Sequence, residues 1–202
     1  MRVDLNLISE WIEPGSRVLD LGCGDGTLLA HLQTHKNVTG YGIEIDPAHI
    51  IECIDKGVNV IQTDLDAGLS EFDADSFDYV VITQSLQAMH FPAKLIDEML
   101  RVGRQGIVSF PNMGHWRCRF QFALGGRMPV TRALGHNWYD TPNIHLCTLR
   151  DFETLCAEKR IHILQCTAVD YSHRSNALIE LAPNLLAEIA LYRFQKTPET
   201  TK

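Results

Sequence analysis

The residues best suited to chemistry lie in Asp20-Leu21-Gly22-Cys23-Gly24-Asp25-Gly26, where three glycines alternate directly after Arg17-Val18-Leu19. Glycine has no Cβ, so such a turn lets backbone amides approach a ligand closely. The chemistry this suits is the cradling of a nucleotide-type cofactor. Two more acids extend the pattern. The run 38–44 ends in Glu44, about 20 residues past the turn, where a carboxylate can bond ribose hydroxyls. The run 58–62 leads into Thr63-Asp64-Leu65. One acid alone reads as a surface loop carboxylate. Three acids after three successive strands fit ligand binding at the carboxyl ends of an open sheet. Asp46-Pro47 reads as a helix N-cap and first helical residue, so the ribose role falls to Glu44 and the cap to Asp46.

The spacing also selects the ligand. A dinucleotide fingerprint places its third glycine one residue later, where this chain has Thr27. A pyrophosphate seeks a helix N-terminus, and Asp20 beside the turn would repel it while attracting an ammonium. The order of Asp20, Gly22, Gly24 and Gly26 looks like motif I of the class I S-adenosylmethionine-dependent methyltransferases. That resemblance implies that Asp64 bonds the adenine amino group, with the Leu65 amide near the ring. Gln84, after the fourth strand, is placed at the methionine end of the ligand. The expected cofactor-binding set is Asp20, Gly22, Cys23 (through its backbone), Gly24, Gly26, Glu44, Ile45, Asp64, Leu65 and Gln84. The ligand is S-adenosylmethionine or S-adenosylhomocysteine.

Elements that would position these residues follow from periodicity. Leu5, Ile8, Trp11 and Ile12 recur at helical spacing before Pro14-Gly15. Strands are predicted at 17–21, 38–44, 58–62, 78–83 and 105–110, and helices at 27–34, 47–56 and 92–101. Such alternation implies an α/β fold with a parallel sheet covered on both faces. Further helices are predicted at 115–124, ended by Gly125-Gly126, and at 148–159, with Thr148 as N-cap and Asp151 at N3. Two final strands, 161–169 and 187–194, complete a Rossmann-like, seven-stranded, mostly parallel sheet of class I methyltransferase type. One domain spanning 1–196 with a frayed tail at 197–202 is expected.

The chain of 202 residues has a net charge of −7, which argues against nucleic-acid binding. It has no long apolar run and no leader pattern at Met1, so a cytoplasmic protein without membrane association is expected. Six cysteines without a C-x-x-C pair read as reduced core thiols, and no metal site is expected. Yet between Glu98 and Asp140 no acidic residue occurs, while Arg101, Arg104, Arg117, Arg119, Arg127 and Arg132 do. With Trp138, Tyr139 and Ile144 this region reads as an ordered lid-like insertion after the fifth strand, or as a docking surface for an acidic partner. No Asn/Asp-Pro-Pro-Tyr signature follows the fourth strand, which disfavours amino-group methylation. His90, His115, His136 and His145 are the candidate bases for O-methylation. Each reads first as structural, and no catalytic residue is assigned.

The chain resembles the methionine biosynthesis protein MetW family over nearly its full length. The resemblance rests on 18–26, Gly42-Ile-Glu-Ile-Asp46, Thr63-Asp64-Leu65-Asp66, Gln84-Ser-Leu-Gln87, Phe110-Pro-Asn112 and Trp138-Tyr-Asp-Thr-Pro-Asn-Ile-His145. It implies a methyltransferase-like, S-adenosylmethionine-binding protein that serves as accessory partner of homoserine O-acyltransferase. A methyltransferase acting on a small molecule, and a Rossmann-like protein holding another adenine-containing ligand, stay open as alternatives.

Overall fold

A computed structural model describes residues 3–172, 175 and 177–197. Helix α1 (Val3–Trp11) precedes β1 (Arg17–Leu21), α2 (Thr27–Lys36), β2 (Thr39–Glu44), α3 (Pro47–Asp55) and β3 (Val60–Gln62). The chain continues through β4 (Phe77–Thr83), α4 (Pro92–Val102) and β5 (Gly103–Pro111). After β5 come α5 (Trp116–Gly125), α6 (Leu149–Glu158), β6 (Ile161–Val169), α7 (Ala177–Leu181), α8 (Pro183–Leu186) and β7 (Ile189–Lys196). The sheet order is β3-β2-β1-β4-β5-β7-β6. Strands β1 to β5 pair in parallel, and β7 runs antiparallel between β5 and β6. This is the seven-stranded, mostly parallel sheet expected from the alternation of elements. Among the described residues, no helix is long and apolar enough to cross a membrane.

Strand alternation builds two cores, one on each face of the sheet. Val18, Tyr79, Val81 and Ile107 face α1, α2 and α3 through Ile8, Leu29, Leu32 and Cys53. Their neighbours Leu19, Val80, Ile82 and Val108 face α4 and α6 through Ile96, Met99 and Phe152. Successive side chains of a strand point to opposite faces, so central strands buried on both sides must be apolar throughout. Tyr192 of β7, fully buried, stacks on Phe110 with centroids 5.9 Å apart and donates its hydroxyl to Glu153 at 2.9 Å.

The helix ends follow their local chemistry. Asp46 caps α3, its Oδ1 accepting from the Ala48 amide at 2.9 Å, with Pro47 in the first turn. Thr148 and Asp151 form the reciprocal capping box of α6. Gly126, at φ 58°, ends α5. The short helices α7 and α8 carry no strong capping or periodic signal and were not expected from sequence. Thr197 still bonds the Arg160 carbonyl, and the rest of the expected frayed tail, 198–202, lies outside the described residues.

Candidate functional site

After β1 the chain turns through Gly22 (φ 67°), Gly24 (φ 54°) and Gly26 (φ 72°), a region that side chains other than glycine rarely adopt. The Gly22 and Cys23 amides both donate to the Ile43 carbonyl, at 2.8 and 3.0 Å, which fastens the turn to β2. Glu44, 9% exposed, closes it from the other side. Its Oε2 accepts from the Gly24 amide at 2.8 Å, and its Oε1 accepts from the Ile45 and Asp46 amides at 2.9 and 3.0 Å. A carboxylate offers about four acceptor positions, so these donors leave Oε2 able to take a ligand hydroxyl.

Asp25 anchors the start of α2. Its carboxylate accepts from the Thr27 amide and hydroxyl at 3.1 and 2.6 Å and pairs with Lys56 at 2.5 Å. Burial pushes its pKa up, but the hydrogen bonds from Lys56 and Thr27 outweigh that and hold it at about 2. Beneath the turn the Cys23 and Cys53 sulfurs sit 3.7 Å apart. Burial pushes both thiols up, so neither is a ready nucleophile. They belong to the packing: a Cβ on Gly42 would lie 2.4 Å from the Cys23 sulfur.

The turn borders a cleft of about 560 Å³ across the carboxyl ends of the parallel strands. Of the sequence-expected set, Asp20, Gly22, Cys23, Gly24, Glu44, Ile45, Asp64, Leu65 and Gln84 all line it. Gly26 does not. It caps α2, and a Cβ there would meet the Cys53 sulfur at 2.9 Å, so this glycine serves the turn and its packing onto α3. The described lining carries Asp20, Asp25, Glu44, Asp46 and Asp64 and no lysine or arginine. Asp20 is 1% exposed, deep enough for its charge to act in low dielectric. Asp64 also accepts from the Asp66 amide at 2.9 Å, starting the 3-10 turn 65–67.

Gln84 holds a φ of 53°, strained for a residue with a side chain. Its amide donates to the Ser109 carbonyl at 2.8 Å, and its carbonyl accepts from the Gln87 side chain at 2.6 Å. Ser85 lines the cleft beside it and was not assigned from sequence. Its Oγ would stand 3.1 Å from a Cβ on Gly22, so that glycine admits the β4 loop as well as a ligand. Leu5 of α1 and Met89 also line the cleft. Leu5 had no site signal, because its helical spacing reads as core alone.

None of the candidate histidines lines this cleft. His90 Nδ1 lies 2.6 Å from the Asp66 carboxylate, and His145 Nε2 lies 3.2 Å from the His90 carbonyl. His136 is exposed, and His115 is buried against another cavity. The lid-like segment 113–147 does reach back toward the site. The Ile144 and His145 amides both donate to the Gln87 carbonyl, at 2.8 and 2.9 Å, behind β4.

A sheet of this order, with a glycine turn after β1 and carboxylates at the carboxyl ends of β1 and β2 and just past β3, fits the class I methyltransferase fold. Among similar solved structures is a SAM-dependent methyltransferase from Archaeoglobus fulgidus. It is 15% identical, with a TM-score of 0.67 over 96% of this chain and 92% of that one. The [4+2]-cyclase SpnF shares the fold at 18% identity and a TM-score of 0.68, over 96% of this chain and 81% of its own. Within this class the chain belongs to the family of the methionine biosynthesis protein MetW, whose description matches residues 2–194. A curated relative, the bifunctional methionine biosynthesis protein MetXA/MetW of Rhodopirellula baltica, is 34% identical over 97% of this chain. The chain spans 33% of that relative's length.

Proposed function

We propose that the chain binds S-adenosylmethionine in the acidic cleft and works in methionine biosynthesis as an accessory partner of homoserine O-acyltransferase. The observation that carries the ligand is the charge of the lining: buried Asp20 and Glu44, half-buried Asp25 and the exposed Asp46 and Asp64, with no lysine or arginine among the described residues. Such a wall favours a ligand that bears an ammonium and a sulfonium and disfavours one with a pyrophosphate. Asp20 takes the ammonium, Glu44 Oε2 a ribose hydroxyl, Asp64 the adenine amino group, and Leu65 the ring. Gln84 borders the methionine end. When bound, the ligand would supply an electrophilic methyl group on sulfur. None of the four histidines named as bases from sequence lines the cleft, though His49 does, so methyl transfer has no support from those four. The fold itself is shared by a cyclase, so it does not dictate that reaction.

The partner follows from the family resemblance and from a relative whose name joins MetXA and MetW in one bifunctional protein. A ligand can bias such a partnership only through different affinity for two states. Calorimetry should give saturable binding of S-adenosylmethionine and S-adenosylhomocysteine and none of NAD. Acylation of homoserine by the partner enzyme should rise when this chain is added and should respond to S-adenosylmethionine. An unchanged rate and no co-purification would refute the partnership. Labelled methyl transfer to a metabolite would favour the methyltransferase reading.

A further inference from the structure

A second cavity, about 270 Å³, lies beyond β5 at the start of α5 and shares no lining residue with the acidic cleft. Asn112 shapes its approach. Its side-chain amide donates to the Asn184 and Ala187 carbonyls at 3.2 and 2.8 Å, and its Oδ1 accepts from the Gly114 amide at 2.8 Å. This clamp sets His115 as the N-cap of α5. His115 forms part of the cavity wall, is 5% exposed, and its Nδ1 has no hydrogen-bond partner. A buried polar atom left without a partner costs about 1–3 kcal/mol. Such a cost is relieved if a ligand supplies the missing partner.

The rest of the wall carries both signs of charge. Trp116 and Arg117 occupy the first turn of α5, which no side chain caps, so its amides and positive end face this region. Arg117 and Arg132 add two guanidinium groups. Arg117 lies over the Trp116 ring, 5.4 Å from its centroid. Asp170 and Glu188 line the same cavity. Glu188 accepts from the Tyr171 amide at 2.7 Å through one oxygen. A phosphate or other multiply charged anion would be pressed against those two carboxylates. A ligand with one negative and one positive end would satisfy both charges of the wall.

We propose that this cavity binds a small zwitterion of the α-amino acid class. The guanidinium groups and the α5 amides hold its carboxylate. Glu188 and Asp170 hold its ammonium, and His115 Nδ1 bonds a polar atom between them. The site is independent of the cofactor reading and is tested without S-adenosylmethionine. Isothermal titration of the full chain with each of the common L-amino acids and L-homoserine should show saturable binding for at least one. The matching amine, which lacks the carboxylate, and the matching deamino acid should bind about tenfold more weakly or not at all. Arg117→Ala and Arg132→Ala, both at exposed positions, should weaken binding about tenfold while the thermal unfolding midpoint stays as before. Glu188→Gln should act in the same direction. No binding by any amino acid, equal binding of inorganic phosphate or acetate, or exposed-arginine variants that bind normally would each overturn the proposal.

Discussion

At the scale of single residues the site is organised by Glu44 more than by the glycines it touches. Its carboxylate gathers three backbone amides from two loops, and only its position at the end of β2 was legible in sequence. That position predicted a ligand contact. The second duty, holding the Gly24 amide, depends on a close approach of two loops that no spacing encodes. Glu44→Ala should therefore lower both thermal stability and S-adenosylmethionine affinity, each by about 1–3 kcal/mol, because buried amides lose their acceptor. Differential scanning calorimetry and titration calorimetry read the two effects separately. A variant that loses affinity at unchanged stability would deny the structural duty. Asp25 offers a pH test. Its folded pKa of about 2 lies below its ordinary 3.8. Its contribution is complete above the ordinary value and is lost as pH falls toward about 2. Nearly half of the side chain is exposed, so solvent keeps the effect small. Lys56→Ala should move the Asp25 carboxyl back up toward 3.8, a shift that carboxylate NMR titration resolves.

At the scale of elements, the legible parts are those fixed by local chemistry. The Asp46-Pro47 start of α3, the Thr148–Asp151 capping box and the Gly126 stop of α5 each depend on a few neighbouring residues, and each stands where the spacing put it. Thr148→Ala should cost about 1 kcal/mol in chemical denaturation, the ordinary cost of losing an N-cap. The edges of strands and the short helices α7 and α8 were less legible, because long-range packing decides them. Gly106 shows why. A Cβ at this position of β5 would stand 2.5 Å from the Phe194 ring of β7, a contact that no local spacing encodes. The antiparallel β5–β7 pairing sets Gly106 opposite Phe194. Gly106→Ala should destabilise the fold by about 1–3 kcal/mol through overpacking. A neutral result in urea denaturation would show that the Phe194 ring can move aside.

At the scale of the whole molecule, an acidic body carries one arginine-bearing segment, and the structure shows that its apolar side chains are also turned outward. Trp138 and Tyr139 are 74% and 72% exposed, and Trp116, Phe120, Phe122 and Leu124 of α5 are exposed as well. Aromatic side chains clustered with arginine mark interaction surfaces more often than scattered single residues do. The same segment is tethered to the cofactor side of the sheet through the bonds from Ile144 and His145 to Gln87. A ligand in the cleft and a partner on the segment therefore share one structural connection, at the β4 loop that also holds strained Gln84. If the segment docks an acidic face of the acyltransferase, raising salt from about 0.01 to about 1 M should weaken the complex, as the Debye length falls from ~30 to ~3 Å. Arg127→Glu should slow association and reduce that salt dependence. Trp138→Ala should instead act on dissociation, with a loss of about 2 kcal/mol or more if it is a central anchor. Surface plasmon resonance with the immobilised acyltransferase measures both rates. Complex formation insensitive to salt and to both substitutions would move the docking surface elsewhere on the molecule and leave the acidic cleft untouched.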